Sequence, residues 1–258
     1  MRFGLSLSSD LHGDWFFTLL ASHWASWLNA LGGEWRNDLQ IGHSDRIATE
    51  FYQPLIPAQR LFVAPHAESV REPFDIYVDG VRVASYRRDV IGGGIDLGVP
   101  LGTAGEVRLG VSCERLKLHT DTSIIPGELL PTVDMGGVNA RPRIDTLDNR
   151  YFPRAGYDAG VQVYAARGVL GADDTYTKLS AASSYHVSAL GLLDGAYVGG
   201  SLETGCLAAL VIAGQHPTTR VGASLYFAFD TPLGPVYLAY GHGEGSNQAV
   251  YLFLGQPP

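Results

Sequence analysis

Gly110-Val-Ser112-Cys-Glu114 is this chain's nearest approach to a hydrolase nucleophile turn, and it fails. A G-x-S-x-G turn needs its last glycine so that the strand can bend sharply and present the serine hydroxyl; a glutamate stands there instead. Gly92-Gly-Gly94 and Gly241-His-Gly-Glu-Gly245 offer backbone N–H groups. Neither is followed by a helical pattern, so neither makes a phosphate cradle. His12, His43, His119 and His216 fall near connections, and no H-E-x-x-H or related spacing occurs. Cys113 and Cys206 are the only cysteines, without C-x-x-C or Cys/His metal spacing. They read as unpaired residues on strands that are not neighbours. The charges Arg87, Arg88 and Asp89 suit the electrostatics of a wet interior better than acid–base chemistry. The expectation is a protein with no catalytic residues, no metal site and no cofactor.

The elements that position these residues are strands. From Val221 to Gly241 the sequence runs VGASLYFAFD-TPLG-PVYLAYG. Strand side chains alternate between two faces. Val221, Ala223, Leu225, Phe227 and Phe229 share one face, which is wholly apolar and fit for lipid. Gly222, Ser224, Tyr226, Ala228 and Asp230 share the other, which is small and polar and fits a wet lumen. A recurring strand–Pro–turn–strand signature surrounds Pro54, Pro100, Pro153 and Pro232. Proline ends a strand because it cannot donate to the ladder, and it presets a turn. Other connections, at 11–14, 43–46, 69–73, 79–80, 119–130, 171–175 and 214–219, are polar and irregular and read as the longer loops of the opposite end.

About fourteen strands result, beginning Arg2–Asp10 and Trp15–Leu28 and ending Pro235–Gly243 and Gln248–Gly255. The chain is 46% hydrophobic, yet no stretch approaches the roughly twenty apolar residues of a spanning helix. Open sheet edges in lipid would leave unpaired backbone groups at several kcal/mol each, so the strands must close. The fold expected is all-β: a transmembrane, antiparallel, up-and-down barrel forming one domain over residues 1–258. A water-soluble barrel would turn its apolar face inward, and an interior fourteen strands around is too wide to fill with side chains. The net charge is −8 with no run of either sign, which argues against a nucleic-acid partner. No secretory signal precedes Arg2, so an export signal would lie on a longer precursor.

Residues 143–156 read RIDTLDNRYFPRAG. Asp145, Asp148, Asn149, Phe152, Pro153 and Gly156 match a D-x-x-D-N-x-x-F-P-x-x-G signature. The chain thereby resembles the BamA/TamA superfamily of outer-membrane barrels, the bacterial surface antigen family. Supporting strings are the Trp24-Ala-Ser-Trp27-Leu-Asn29 spacing, GGEWRNDLQIG (32–42), TEFYQPL (49–55) and the terminal YLFLGQ (251–256). Together they resemble the C-terminal barrel of patatin-like type V secretion proteins over nearly the whole chain. Read apart from the family, the motif's Asp and Asn can bond local backbone, its Pro ends a ladder and its Gly permits a turn.

The resemblance also implies departures. Family members have sixteen strands and a V-R-G-F/Y motif on a sixth loop, whose Arg meets an acidic strand residue in the lumen. Ser201-Leu-Glu203-Thr-Gly205 resembles that acidic strand, with Glu203 and Gly205 at the motif positions, but no V-R-G-F/Y occurs. The loop and its flanking strand pair are read as missing, leaving Glu203 without its Arg. No POTRA-type or patatin stretch occurs in these residues. The function implied is polypeptide secretion or membrane insertion, without catalysis and as an open pore because the gating loop is gone. The residues expected to matter are the motif set, Glu203, and the seam strands at Phe3, Leu5, Leu7, Tyr251 and Phe253. Expected partners are outer-membrane lipid, a secreted polypeptide and the barrel-assembly machinery. The rival expectations are a trimmed or engineered scaffold without transport, and a soluble β-barrel that binds a ligand.

Overall fold

The computed structural model describes residues 1–9, 15–78, 81–123, 132–148, 155–188, 196–207, 219–229, 231, 236–243 and 247–255. The strands are β1 (Arg2–Ser9), β2 (Trp15–Ala25), β3 (Glu34–Gly42), β4 (Asp45–Pro54), β5 (Phe62–Val78), β6 (Val81–Pro100) and β7 (Gly105–Ser123). They continue as β8 (Val133–Asp145), β9 (Gly156–Ala166), β10 (Tyr176–Ser188), β11 (Ala196–Leu207), β12 (Thr219–Phe229), β13 (Val236–Gly243) and β14 (Asn247–Gly255). A short 3₁₀ turn, Gly168–Leu170, lies between β9 and β10. Each strand pairs antiparallel with its sequence neighbours, and β1 pairs with β14 to close the barrel. Among the described residues no helix is long and apolar enough to cross a membrane.

The pleat decides what faces out. Leu225, Phe3, Ile91 and Leu109 are 71%, 73%, 63% and 61% exposed, and all lie on the outer face by register. Val221, Phe227 and Phe229 share that face with Leu225. Apolar side chains therefore cover the exterior, an orientation that lipid favours and water does not. This overturns the soluble-barrel alternative, which needs the same residues packed inside. On β6 the outward set runs apolar from Val99 to Ile91 and turns charged at Asp89. The eight residue steps from Ile91 to Val99 at a barrel tilt span about 20 Å, near the ~25 Å band of such barrels. The Trp35 indole N–H donates to Thr49 Oγ1 at 2.8 Å, and Trp35, Tyr157 and Tyr185 are exposed near the strand ends that carry the chain termini. Aromatic side chains of this kind mark a membrane interface.

Two expectations about the connections need correction. Pro54 and Pro100 close β4 and β6 at the end that carries both termini, whereas Pro153 and Pro232 lie outside the described residues. The opposite connections are not uniformly long, since β3 and β4 are joined through 43–44 alone. Residues 69–73 and 119–123 lie inside β5 and β7, not in loops. The reach at that end comes from strands of 17, 20 and 19 residues, β5 to β7. Likewise Arg87, Arg88 and Asp89 do not act as one interior group. Neighbouring strand residues point to opposite sides: Arg88 pairs inward with Glu72, while Asp89 pairs outward with Arg71 at 3.1 Å.

Candidate functional site

The interior has two unlike walls. Along β3–β8 it is filled by charge. Arg36 Nη2 lies 2.7 Å from Glu34 and its Nη1 lies 3.6 Å from Glu50. Arg108 reaches from β7 to β4, placing Nη1 2.6 Å from Glu50, while its Nε donates to Glu106 at 2.7 Å. Asp96 on β6 is fully buried; it accepts from Arg141 of β8 and lies 3.7 Å from Arg108 and 3.6 Å from His66. The chain Glu34–Arg36–Glu50–Arg108–Asp96–Arg141 thus links five strands, and His66 of β5 touches it at Asp96. Aromatic faces support it: the Arg36 guanidinium lies 4.9 Å from the Trp24 ring centre and that of Arg108 5.2 Å from Phe62. Gly98 and Gly110 are required by this packing, because a Cβ at either would overlap the Phe62 ring or the Asp96 carboxylate.

Along β9–β14 the interior stays open around one row of mostly small side chains, with aromatic rings below it towards the chain termini. Gly160, Ala182, Glu203, Gly222 and Gly243 form one inward row by register. Two hollows lie over this wall, of about 640 and 730 Å³, and Glu203 and Arg143 border both. Arg143 is held by Asp158 at 2.7 Å. Glu203 has no ion pair among the described residues. Below the row, Ser201 and Ser224 hydrogen-bond at 2.7 Å, and Tyr226, Tyr237, Tyr251 and Phe253 follow towards the chain termini.

The described members of the 145–156 motif fasten a turn. Asp145 Oδ1 accepts from the Leu147 N–H and Asp148 Oδ1 from the Ala155 N–H, both at 3.1 Å. Thr146 Oγ1 exchanges hydrogen bonds with the Tyr157 backbone at 3.1 Å in each direction. Gly156 has φ +114°, and a Cβ there would stand 2.9 Å from Leu147 Cα. Asn149, Phe152 and Pro153 lie outside the described residues. Substituting Asp148 with Ala removes one charge-assisted bond, an expected loss of about 1–2 kcal/mol. Urea unfolding in lipid vesicles, read by tryptophan fluorescence, measures it.

The seam residues divide between the two faces. Among the described residues β1 and β14 pair from Gly4↔Gly255 to Ser9↔Val250, and Phe3 is adjacent to that stretch. Leu5 and Leu7 face outward with Phe3, whereas Tyr251 and Phe253 face the interior. Gly205 faces inward one row above Glu203, opposite Arg220. Cys113 is exposed on β7, which does not neighbour the strand of Cys206. The ionic chain escaped the sequence reading. Its one available signal was charge at i and i+2 on a strand, as in Glu34/Arg36, Glu106/Arg108 and Arg141/Arg143.

The sequence model of the Omp85 superfamily domain matches residues 31–205. The chain belongs to the Omp85 superfamily. This Omp85 barrel is therefore a bacterial outer-membrane protein. Its fold is similar to BamA from Haemophilus ducreyi lacking POTRA domains 1–3, at TM-score 0.65 and 10% identity, over 98% of this chain and 69% of that one. The translocator domain of autotransporter NalP from Neisseria meningitidis aligns at TM-score 0.41 and 11% identity, over 100% of this chain and 89% of that one. The low-pH structure of Pseudomonas putida OprB aligns at 0.40 and 10%, over 99% and 90%. Both likenesses are too loose to bear on this fold. Comparison with curated proteins found no match.

Proposed function

We propose that this Omp85 barrel is a translocator-type conduit that stands as an open pore, serving polypeptide secretion or insertion. The observation that carries the reading is the small-residue wall of β9–β14, over which hollows of about 640 and 730 Å³ persist beside a wall filled by ion pairs. Small side chains leave an aqueous path in a barrel this wide, and a hydrated Glu203 needs no arginine partner there. The role is non-covalent: lipid holds the outside, and the ionic wall keeps the opposite side rigid. The motif at 145–156 acts as a turn fastener in this reading.

Planar-bilayer recording tests it. The expected result is a steady conductance that falls when Ser224→Trp narrows the open wall. A bilayer that stays sealed with folded protein inserted would overturn the pore and favour a scaffold without transport.

A second reading, insertion of a polypeptide through the wall, draws support from the seam. Only six described positions pair between β1 and β14, against seventeen between β5 and β6. Leu7 and Leu252 are directly opposite, so a cysteine pair there, with Cys113 and Cys206 replaced by serine, can lock the seam. Insertion would stop on locking while conductance continued; insertion unaffected by the lock would reject this route.

A further inference from the structure

We propose that the interior face of β11–β14 is a binding site for a neutral oligosaccharide. The proposal rests on the open-pore reading for access from outside, but not for affinity. Register stacks the site in tiers. Tyr237 and Phe253 are opposite one another nearest the chain termini. Tyr226 and Tyr251 form the next tier, each opposite Ala239. Ser201 and Ser224 come next, and Glu203 opposite Gly222 completes the series. Aromatic rings thus make a floor, hydroxyls a belt and a carboxylate the rim. All of them border the hollow of about 730 Å³, a size usual for small-ligand sites.

Tyr237 is buried against Ala228 with Tyr226 and Phe253 packed on it, and the partly exposed rings Tyr226 and Tyr251 are backed by glycine. Tyr226 rests across Gly199, where any Cβ would overlap its ring, and a Cβ at Gly241 would stand 3.5 Å from Tyr251 Cε2. A ring flat against the wall turns its other face to the interior. Tyr251 and Phe253 stack nearly parallel, 13° apart in plane with ring centres 6.1 Å apart, so their edges and outer faces line the hollow together. A pyranose offers an apolar C–H face to such a platform and a ring of hydroxyls to the groups around it. Those groups here include donors and acceptors: the Ser201–Ser224 pair, Glu203, and Arg143 with its partner Asp158.

Other ligand classes fit less well. A peptide bound as an added strand needs an unpaired backbone ladder, and the closed barrel presents none to its interior. A strongly charged ligand meets both signs at the rim, since Glu203 and the Arg143–Asp158 pair stand together there. The mixture of partly exposed aromatic rings with neutral hydroxyls, one carboxylate and an ion pair favours a ligand rich in hydroxyls and without strong charge.

The test uses the full chain in detergent micelles without sugar headgroups, with maltotriose as probe. Saturation-transfer NMR is expected to show saturable binding through the sugar C–H protons. The double variant Tyr251→Ala/Phe253→Ala should weaken it at least tenfold, while Leu225→Ala on the outer face leaves it unchanged. Heat-modifiable gel migration shows that each variant is folded. Absence of saturable binding, retention of full affinity in the double variant, or equal displacement by trialanine would overturn the proposal. Bilayer recording separates the two readings. Maltotriose binding by a barrel that carries no current sustains the site and rejects the pore; current without maltotriose binding or block does the reverse.

Discussion

Asp96→Ala is expected to destabilise the barrel by about 1–3 kcal/mol, because it removes the fully buried carboxylate that accepts from the partly exposed Arg141. Arg141 has Asp96 as its ion-pair partner, with its Nε already lacking a hydrogen bond, whereas Arg108 keeps Glu50 and Glu106. The cost therefore falls mainly on Arg141. Removing both charges, as Asp96→Ala with Arg141→Met, should recover part of the loss, since no half-buried guanidinium is then left without its carboxylate. Urea unfolding in vesicles of the two single variants and the double variant measures the coupling. Simple additivity would mean that the pair does not act as a unit.

The second large effect compares neighbours. Leu225→Arg should cost about 2–4 kcal/mol, the range for a cation near the middle of a lipid-facing surface. Ser224→Arg, one residue away, should cost less than about 1 kcal/mol, because its side chain enters the wet interior beside Glu203's row. The same folding assay in vesicles reads both. Equal costs would mean that the two faces do not meet different solvents.

Strand positions were legible because alternation of apolar and small residues has a period of two and proline marks some ladder ends, although Pro65 and Pro73 stand inside β5 and Pro142 inside β8. Pro54 and Pro100 close β4 and β6 as that rule expects. The misses have physical causes. β7 continues from Leu118 to Ser123 through the sequence HTDTS, which holds no apolar residue and so shows no alternation to mark a strand. β8 stops at Asp145 instead of running to Phe152, since Asp145 and Asp148 take the following backbone N–H groups into a turn. The open wall of the site was half visible, in Glu203 and the glycines of β11–β13. The ionic wall was not. Arg108 and Glu50 are separated by 58 positions, and Arg141 and Asp96 by 45, so only barrel register brings them together.

Everything functional follows from hydrocarbon outside and water inside, and a nitroxide scan from Val221 to Phe229 measures that alternation directly. With Cys113 and Cys206 replaced by serine and the barrel in lipid vesicles, labels at 221, 223, 225 and 227 should favour oxygen, which partitions into lipid. Labels at 222, 224 and 226 should favour a water-soluble nickel complex. A scan in which 225 and 227 respond to neither reagent, as in a dry protein core, or in which the two sets trade places, would contradict the account.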